Sequence, residues 1–483
     1  MSGRILMGVL WGLSLAGMAE RIVVTQKSTG KSLTVVAEGY ENGVVKFRVA
    51  GGQVFEVEEE TLTEASLERV REALEGGAEG AAEADGLAGR LNEAAGHELL
   101  SEGALWVEEA EVVAERMGIP RESRKESSSS YRLYPKKDFL LFGSHPYCVT
   151  LYGGGDHKVE SLSIVFANKG DYGSRSGMAE DHFREVHPEK ELPRSLEEAI
   201  ELDASILEES FTRILGDAEK QYFGEKEDKR RVQRWDLGAH AFLLSIKDEE
   251  YVSLLIVPVE VANAGGKVSL VSDSKMKAIQ AGNLRRENNG DVWIDNIPMV
   301  DQGPKGYCAP ATFERAMRYM KIPADMYLLA TSATAPGGGT NTRKLSDDCK
   351  RIVRSKARKI RELELQDDLS IKTVRKYVDK GVPILWQMCS LDAYNNLANE
   401  RTEQRGDVED FAEWAREIEA EAEARALELS LRANHHICLI IGYNESTNEV
   451  AVSDSWGPRY ELRWVHVEIA RAVTSSGGFV IDY

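Results

Sequence analysis

The chain has 483 residues, more than one hydrophobic core serves, so two to four domains are expected. Hydrophobic residues make up 42% and charged residues 29%, the mix of a globular protein with enough apolar material for its cores and enough charge to coat them. A net charge of -20 argues against nucleic acid or an anionic membrane surface as a partner, and the densest basic run, Lys350 to Arg361, is interleaved with apolar residues as on a solvated helix face.

In chain order, Arg4 and the free amine precede an apolar run from Ile5 to Met18, with small residues at Gly17 and Ala19. That pattern predicts a signal peptide over 1–19 and an exported protein, periplasmic or extracellular. The run is shorter than the roughly 20 residues of a spanning helix, and no later stretch is long and apolar enough to span. The five cysteines, Cys148, Cys308, Cys349, Cys389 and Cys438, form no CxxC, and an odd count in an exported chain leaves a thiol for other work.

Residues 20–63 alternate apolar and polar in short runs, Arg21 to Thr25, Leu33 to Ala37, Val44 to Val49 and Val54 to Val57, with turn residues at Ser28-Thr29-Gly30, Glu41-Asn42-Gly43 and Gly51-Gly52. A small antiparallel β-barrel is expected there. The pattern of Arg21, Gly30, Ala37, Gly43, Phe47, Gly51-Gly52 and Leu62 resembles the yeast-Sla-type homology domains, which implies a binding or spacing module that meets a surface partner. Residues 64–103 are rich in Ala, Glu and Gly, and Gly76-Gly77, Gly80, Gly86 and Gly89 predict a linker without a long helix. Residues 104–264 mix strand-like runs with an amphipathic helix near Leu196 to Leu215, an α+β domain of unknown role. Its histidines, His145, His157, His182, His187 and His240, have no metal-ligand spacing, so neither metal nor cofactor is expected. Gly337 to Thr342 lacks the Gly-Lys-Ser/Thr of a phosphate loop and implies no nucleotide.

A last domain is predicted over 291–483. Ile297 to Thr312 runs as a strand, turns through Gly303-Pro304 and Gly306, and enters a helix whose Phe313, Ala316, Met317 and Met320 share one face. Pro310 fits the first helical turn, so Cys308 sits at the helix N-terminus, where the dipole and unpaired N–H groups favour a thiolate. Gln302, six residues earlier across the Gly-Pro loop, can fold back beside the sulfur and donate its amide to an oxyanion together with the Cys308 N–H. Two further runs, Asn434 to Tyr443 and Val450 to Gly457, read as a hairpin centred near Ser446. That register sets His436 opposite Trp456 with Asp454 at the same end, so a carboxylate can orient the imidazole.

These residues resemble the papain-like cysteine peptidases, in the branch of the bacterial double-glycine leader peptidases. The Gln302-to-Cys308 spacing matches the family's oxyanion glutamine and nucleophile. His436, six residues before Gly442, matches the histidine of the family's Gly-Tyr strand and is preferred over His435 on that basis. Asp454-Ser455-Trp456-Gly457 matches Asn-Ser-Trp-Gly with Asp in place of Asn. The Cys-Gly-Ser-Cys-Trp signature is absent, and Asp392 to Ala433 inserts a charged helical stretch, so substrate preference does not transfer.

The whole reads as a multidomain α+β protein: a small N-terminal antiparallel β-barrel, a middle α+β domain and a C-terminal papain-like domain. The expected function is that of an exported thiol protease hydrolysing peptide or protein substrates through Cys308, His436 and Asp454 with Gln302 in the oxyanion hole. Acyl or peptidyl transfer by the same residues, or a catalytically silent scaffold in a surface-binding protein, are the competing readings. Gly265-Gly266 also sits where self-cleavage would release a pro-region.

Overall fold

A computed structural model of the chain describes residues 21–49, 54–101, 103–136, 138–172, 193–226, 229–304, 306–330, 333–334, 339–366, 368–429 and 433–483. The signal peptide expected over 1–19 lies outside the described residues, as do His182, His187, Gly337 and Gly338. Among the described residues no helix is long and apolar enough to cross a membrane. The fold is multidomain α+β, with three antiparallel sheets.

The first sheet is a meander in the order β1-β2-β3-β4, comprising β1 (Arg21–Thr25), β2 (Ser32–Glu41), β3 (Val44–Val49) and β4 (Val54–Glu58). Asn42 and Gly43, both at positive φ, make the two-residue turn that suits the twist of the β2–β3 hairpin. After β4 the chain returns to the end of β1, where the Thr63 N–H donates to Thr25 O at 3.0 Å, so the sheet curls toward closure.

Helix α1 (Glu64–Ala95) runs through the segment expected to be a linker without a long helix. Alanine and glutamate favour helix strongly enough to carry isolated glycines at about 1 kcal/mol each. Both ends are anchored as well: Val70 packs in the core of the first sheet, and Leu91 and Ala95 pack in the core of the second.

The second sheet has eight strands in the order β5-β6-β7-β8-β12-β11-β10-β9. They are β5 (Arg121–Lys125), β6 (Ser128–Leu133), β7 (Cys148–Gly153), β8 (Val159–Asn168), β9 (Glu219–Phe223), β10 (Arg230–Leu237), β11 (His240–Lys247) and β12 (Tyr251–Pro258). Helices α2 (Ala110–Arg116), α3 (Leu196–Leu215) and α4 (Val259–Asn263) accompany it. The start of α3 is fixed by Ser195, whose hydroxyl accepts from the Glu198 N–H at 3.2 Å, and the helix buries Ala199, Ile200, Leu207 and Phe211 against the sheet. His240 has a structural role here, its Nε2 accepting from the Leu105 N–H at 3.0 Å.

The third sheet runs β13-β14-β17-β16-β20-β15, with β18 and β19 continuing beside β17. Its strands are β13 (Leu284–Arg286), β14 (Asp291–Ile294), β15 (Lys359–Glu364), β16 (Ile384–Cys389), β17 (His435–Asn444), β18 (Glu449–Ser453), β19 (Arg463–His466) and β20 (Thr474–Asp482). The helices are α5 (Asp273–Gly282), α6 (Cys308–Tyr319), α7 (Met326–Ala330), α8 (Thr342–Ser355), α9 (Ile371–Val378), α10 (Asp392–Arg405), α11 (Phe411–Ala426) and α12 (Val467–Val473). Met276 of α5 is buried in this core and β13 pairs with β14, so this unit takes in residues ahead of the expected boundary at 291.

Helix α6 lies between the second and third units. Its Phe313, Ala316 and Met317 enter the C-terminal core as the periodicity predicts, but Ala311, Glu314 and Arg315 are buried too. Ala311 is covered by a separate apolar cluster in which Tyr307, Met326 and Tyr327 pack with it against Cys148 and Val165 of the middle sheet, Glu314 by Arg132 and Tyr152 of that sheet, and Arg315 by Pro298 and Ser453.

Candidate active site

Cys308 opens α6, with Tyr307 at the N-cap position and Pro310 in the first turn, where its missing N–H leaves no helical bond unmade. The helix is pinned to β17 by Thr312, whose hydroxyl donates to Ile437 O at 2.9 Å, one residue past His436. All five cysteines are unpaired; four are buried and Cys308 alone is partly exposed.

The β17–β18 hairpin has the expected register at the site end, where Leu439 pairs with Ser453 and Ile440 with Val452. A bulge at Ile441 shifts the far end by one residue, and Gly442 occupies the bulge because a Cβ there would stand 2.6 Å from Val292 O. The register carries His436 opposite Trp456, and their rings stack with centroids 4.8 Å apart. His436 is buried, whereas His435 points outward.

His436 Nε2 lies 2.6 Å from Asp454 Oδ1, which leaves the Nδ1 side of the ring to the hydrogen bond with Cys308. Burial opposes the thiolate, yet the hydrogen bond and charge of His436 and the backbone N–H groups of Ile437 and Ala309 outweigh it, and the Cys308 pKa is lowered. On the other side, burial disfavours an imidazolium, but bonds and charge from Asp454 and Cys308 prevail and raise His436 to about 9. Asp454, although desolvated, is held below the usual carboxylate range by His436 and Arg463. The opposed shifts therefore favour a thiolate–imidazolium pair backed by a carboxylate over the neutral thiol and imidazole.

Gln302 is brought to the same place by two bonds to Ser455: its N–H donates to Ser455 O at 2.9 Å, and its Oε1 accepts from the Ser455 hydroxyl at 2.9 Å. With Oε1 taken by Ser455, the side-chain amide is held in one orientation with its NH2 end turned away from that contact.

Two arginines that the sequence reading did not single out complete the site. Arg463 of β19 is buried, donates through Nη2 to Asp454 Oδ2, and through Nη1 reaches Asn395 at 3.4 Å and Asn399 at 3.1 Å on α10. The inserted helix thus supports the group that supports Asp454. Arg315 of α6, fully buried, donates to Pro298 O at 3.1 Å, Ser453 O at 3.1 Å and Ser453 Oγ at 2.6 Å, joining α6 to the segments that lead into Gln302 and Asp454. The available signal was an arginine within an apolar run, Leu462-Arg463-Trp464-Val465, and another within the amphipathic run Phe313-Glu314-Arg315-Ala316-Met317.

His436, Cys438 and Asp454 have ligand atoms within 4.8 Å of one another, the one such group among the described residues. It is poorly suited to a cation: burial pushes the Cys438 thiol well up, keeping it protonated, and both Asp454 oxygens already serve His436 and Arg463.

No curated protein matches the chain. Residues 294–470, the stretch that holds Gln302, Cys308, His436 and Asp454, match the Peptidase_C39 like family, which supports a papain-like cysteine peptidase in the C-terminal part of the protein.

Proposed function

We propose that the protein is an exported thiol peptidase of the double-glycine leader peptidase-like branch, hydrolysing peptide bonds with Cys308 as nucleophile, His436 as acid and base, Asp454 as orienting carboxylate and Gln302 as oxyanion donor. The observation that carries this reading is the chain of contacts from Cys308 through His436 to Asp454, together with the opposed pKa directions of the first two. The Cys308 thiolate attacks the carbonyl carbon, an S–C bond forms, and the oxygen gains negative charge beside the Gln302 amide and the helix N-terminus. The proton on His436 passes to the leaving amine as the C–N bond breaks. Water, giving its proton to His436, then releases the acid and restores the thiolate. Trp456, stacked on His436, shields the imidazole–carboxylate bond from water. The N-terminal sheet serves as a binding or spacing module.

The test is a peptide-library digest by full-length protein and by Cys308→Ala. Cleavage is expected to vanish in the variant; unchanged proteolysis refutes the assignment.

A further inference from the structure

The backbone on both sides of Gln302 is held by the middle sheet. Glu122 of β5 accepts through Oε1 from the Asp301 N–H at 2.7 Å and from Arg132 Nε at 2.6 Å, while Oε2 accepts from the Ser130 hydroxyl at 2.9 Å. Next to it, Ser123 Oγ accepts from the Met299 N–H at 3.0 Å. Tyr134, just past β6, donates its hydroxyl to Asp301 O, and its ring covers Gly303, where a Cβ would stand 2.7 Å from it. Gly303 has φ +66°, and its N–H donates to Asp301 Oδ1 at 2.9 Å, so the turn around Gln302 is closed on itself as well as on the middle sheet. Glu122, Ser123 and Arg132 are all buried.

A second set of contacts reaches the nucleophile helix. Arg132 Nη2 lies 3.3 Å from Glu314 of α6, and Glu314 also accepts from the Tyr152 hydroxyl at 3.0 Å and the Met326 N–H at 2.8 Å. Tyr307, the residue before Cys308, packs in the cluster that contains Cys148 and Val165.

Glycine at 303 and 306 leaves this loop few side chains with which to fix itself, and an oxyanion donor acts only when held to a fraction of an ångström. We infer that β5, β6 and Tyr134 form the positioning scaffold of the oxyanion loop, with Glu122, Ser123 and Tyr134 as positioning residues for Gln302. The middle domain is then a permanent part of the catalytic unit, not a pro-region released at Gly265-Gly266. The glycine pair has its own structural explanation: both residues adopt positive φ, and a Cβ on Gly266 would stand 2.7 Å from the Phe223 ring. The inference rests on reading Gln302 as the oxyanion donor.

The test compares full-length wild type with Tyr134→Phe, Ser123→Ala and, as a benchmark, Gln302→Ala. Two measurements on Cys308 are made. One is affinity for the peptide aldehyde acetyl-leucyl-leucyl-argininal: an S–C bond forms as the C=O π bond opens onto oxygen, which takes up the proton released from the thiol through His436. The other is the pH dependence of alkylation by iodoacetamide, which needs the thiolate but no oxyanion site. Tyr134→Phe and Ser123→Ala are each expected to weaken aldehyde binding about 10-fold, Gln302→Ala about 100-fold, with the alkylation profile superimposing on wild type. Aldehyde affinities within twofold of wild type in both scaffold variants overturn the inference. So does an alkylation profile that shifts in parallel, because the disturbance would then be general loosening of α6. Peptide turnover is followed alongside: wild-type protein that captures the aldehyde and cleaves no peptide defeats the peptidase reading, while the aldehyde comparison still decides the positioning role.

Discussion

Asp454→Asn is the change for which the structure makes the sharpest demand. In a site with only a histidine to orient, an amide would serve. Here the carboxylate also faces Arg463, and both side chains are 2% exposed. Removing one partner of a buried ion pair while leaving the other costs about 3–5 kcal/mol. At about 3 °C per kcal/mol for a unit of this size, thermal unfolding of the full chain is expected about 10 °C lower. His436 loses its counter-charge in the same step, so alkylation of Cys308 at neutral pH should slow. Arg463→Met alone is also expected to destabilise, since Asp454 then faces only the imidazole. The double variant removes both charges and should be less destabilised than the sum of the two, with a coupling energy of about 2 kcal/mol or more. Effects of the two substitutions that add within about 0.5 kcal/mol would show that Arg463 does not act through Asp454, and the reasoning would fail.

Two further outcomes follow from the same geometry. His436, raised to about 9, contributes stability that is fully present below its unfolded value near 6.5 and is lost as pH rises through about 9. Cys308, its pKa lowered by the same contact, gives up a proton on folding over that range and offsets the gain, so the gap in unfolding free energy between wild type and His436→Gln should change from pH 6.5 to 9 by well under the roughly 3 kcal/mol that His436 alone would give, and a narrowing of the full amount refutes the coupled pair. Gly442→Ala should destabilise by about 1–3 kcal/mol in denaturant unfolding, since its Cβ would meet Val292 O, Trp293 Cβ and Ala451 Cβ, all below 3 Å. A stability equal to wild type would mean the bulge relaxes freely.

The parts of the site that lie close in sequence, or are joined by one turn, are legible in the sequence itself. The start of α6 at Cys308 followed from Pro310 and the apolar spacing, and the meeting of His436 with Trp456 followed from counting outward from one turn. What stayed hidden depends on segments that meet only in three dimensions. Arg463 gains its meaning from Asn395 and Asn399, more than sixty positions away, and from a carboxylate just past the end of the neighbouring strand. The periodicity of α6 pointed to one buried face because nothing local says that a second domain covers the other. Glycines were read as breaks in 64–103, yet packing at both ends of α1 holds the helix through them. The Asp at 454, read from sequence as the bacterial branch's replacement for Asn, gains a second physical reason once Arg463 stands behind it.

The burial of α6 from both sides bears on how the molecule can be divided. A fragment beginning at 265 would bare Val300, Tyr307, Met326, Tyr327 and Ala330, which the middle sheet now covers, as one contiguous oily patch beside Cys308. Patches of that kind drive self-association in water. The same cut would strand Glu314 and Arg318 without the Arg132 and Tyr152 that neutralise and shield them. Solubility and chemistry are thus bound to one seam, and domain shuffling or truncation that respects sequence homology alone would cut through it.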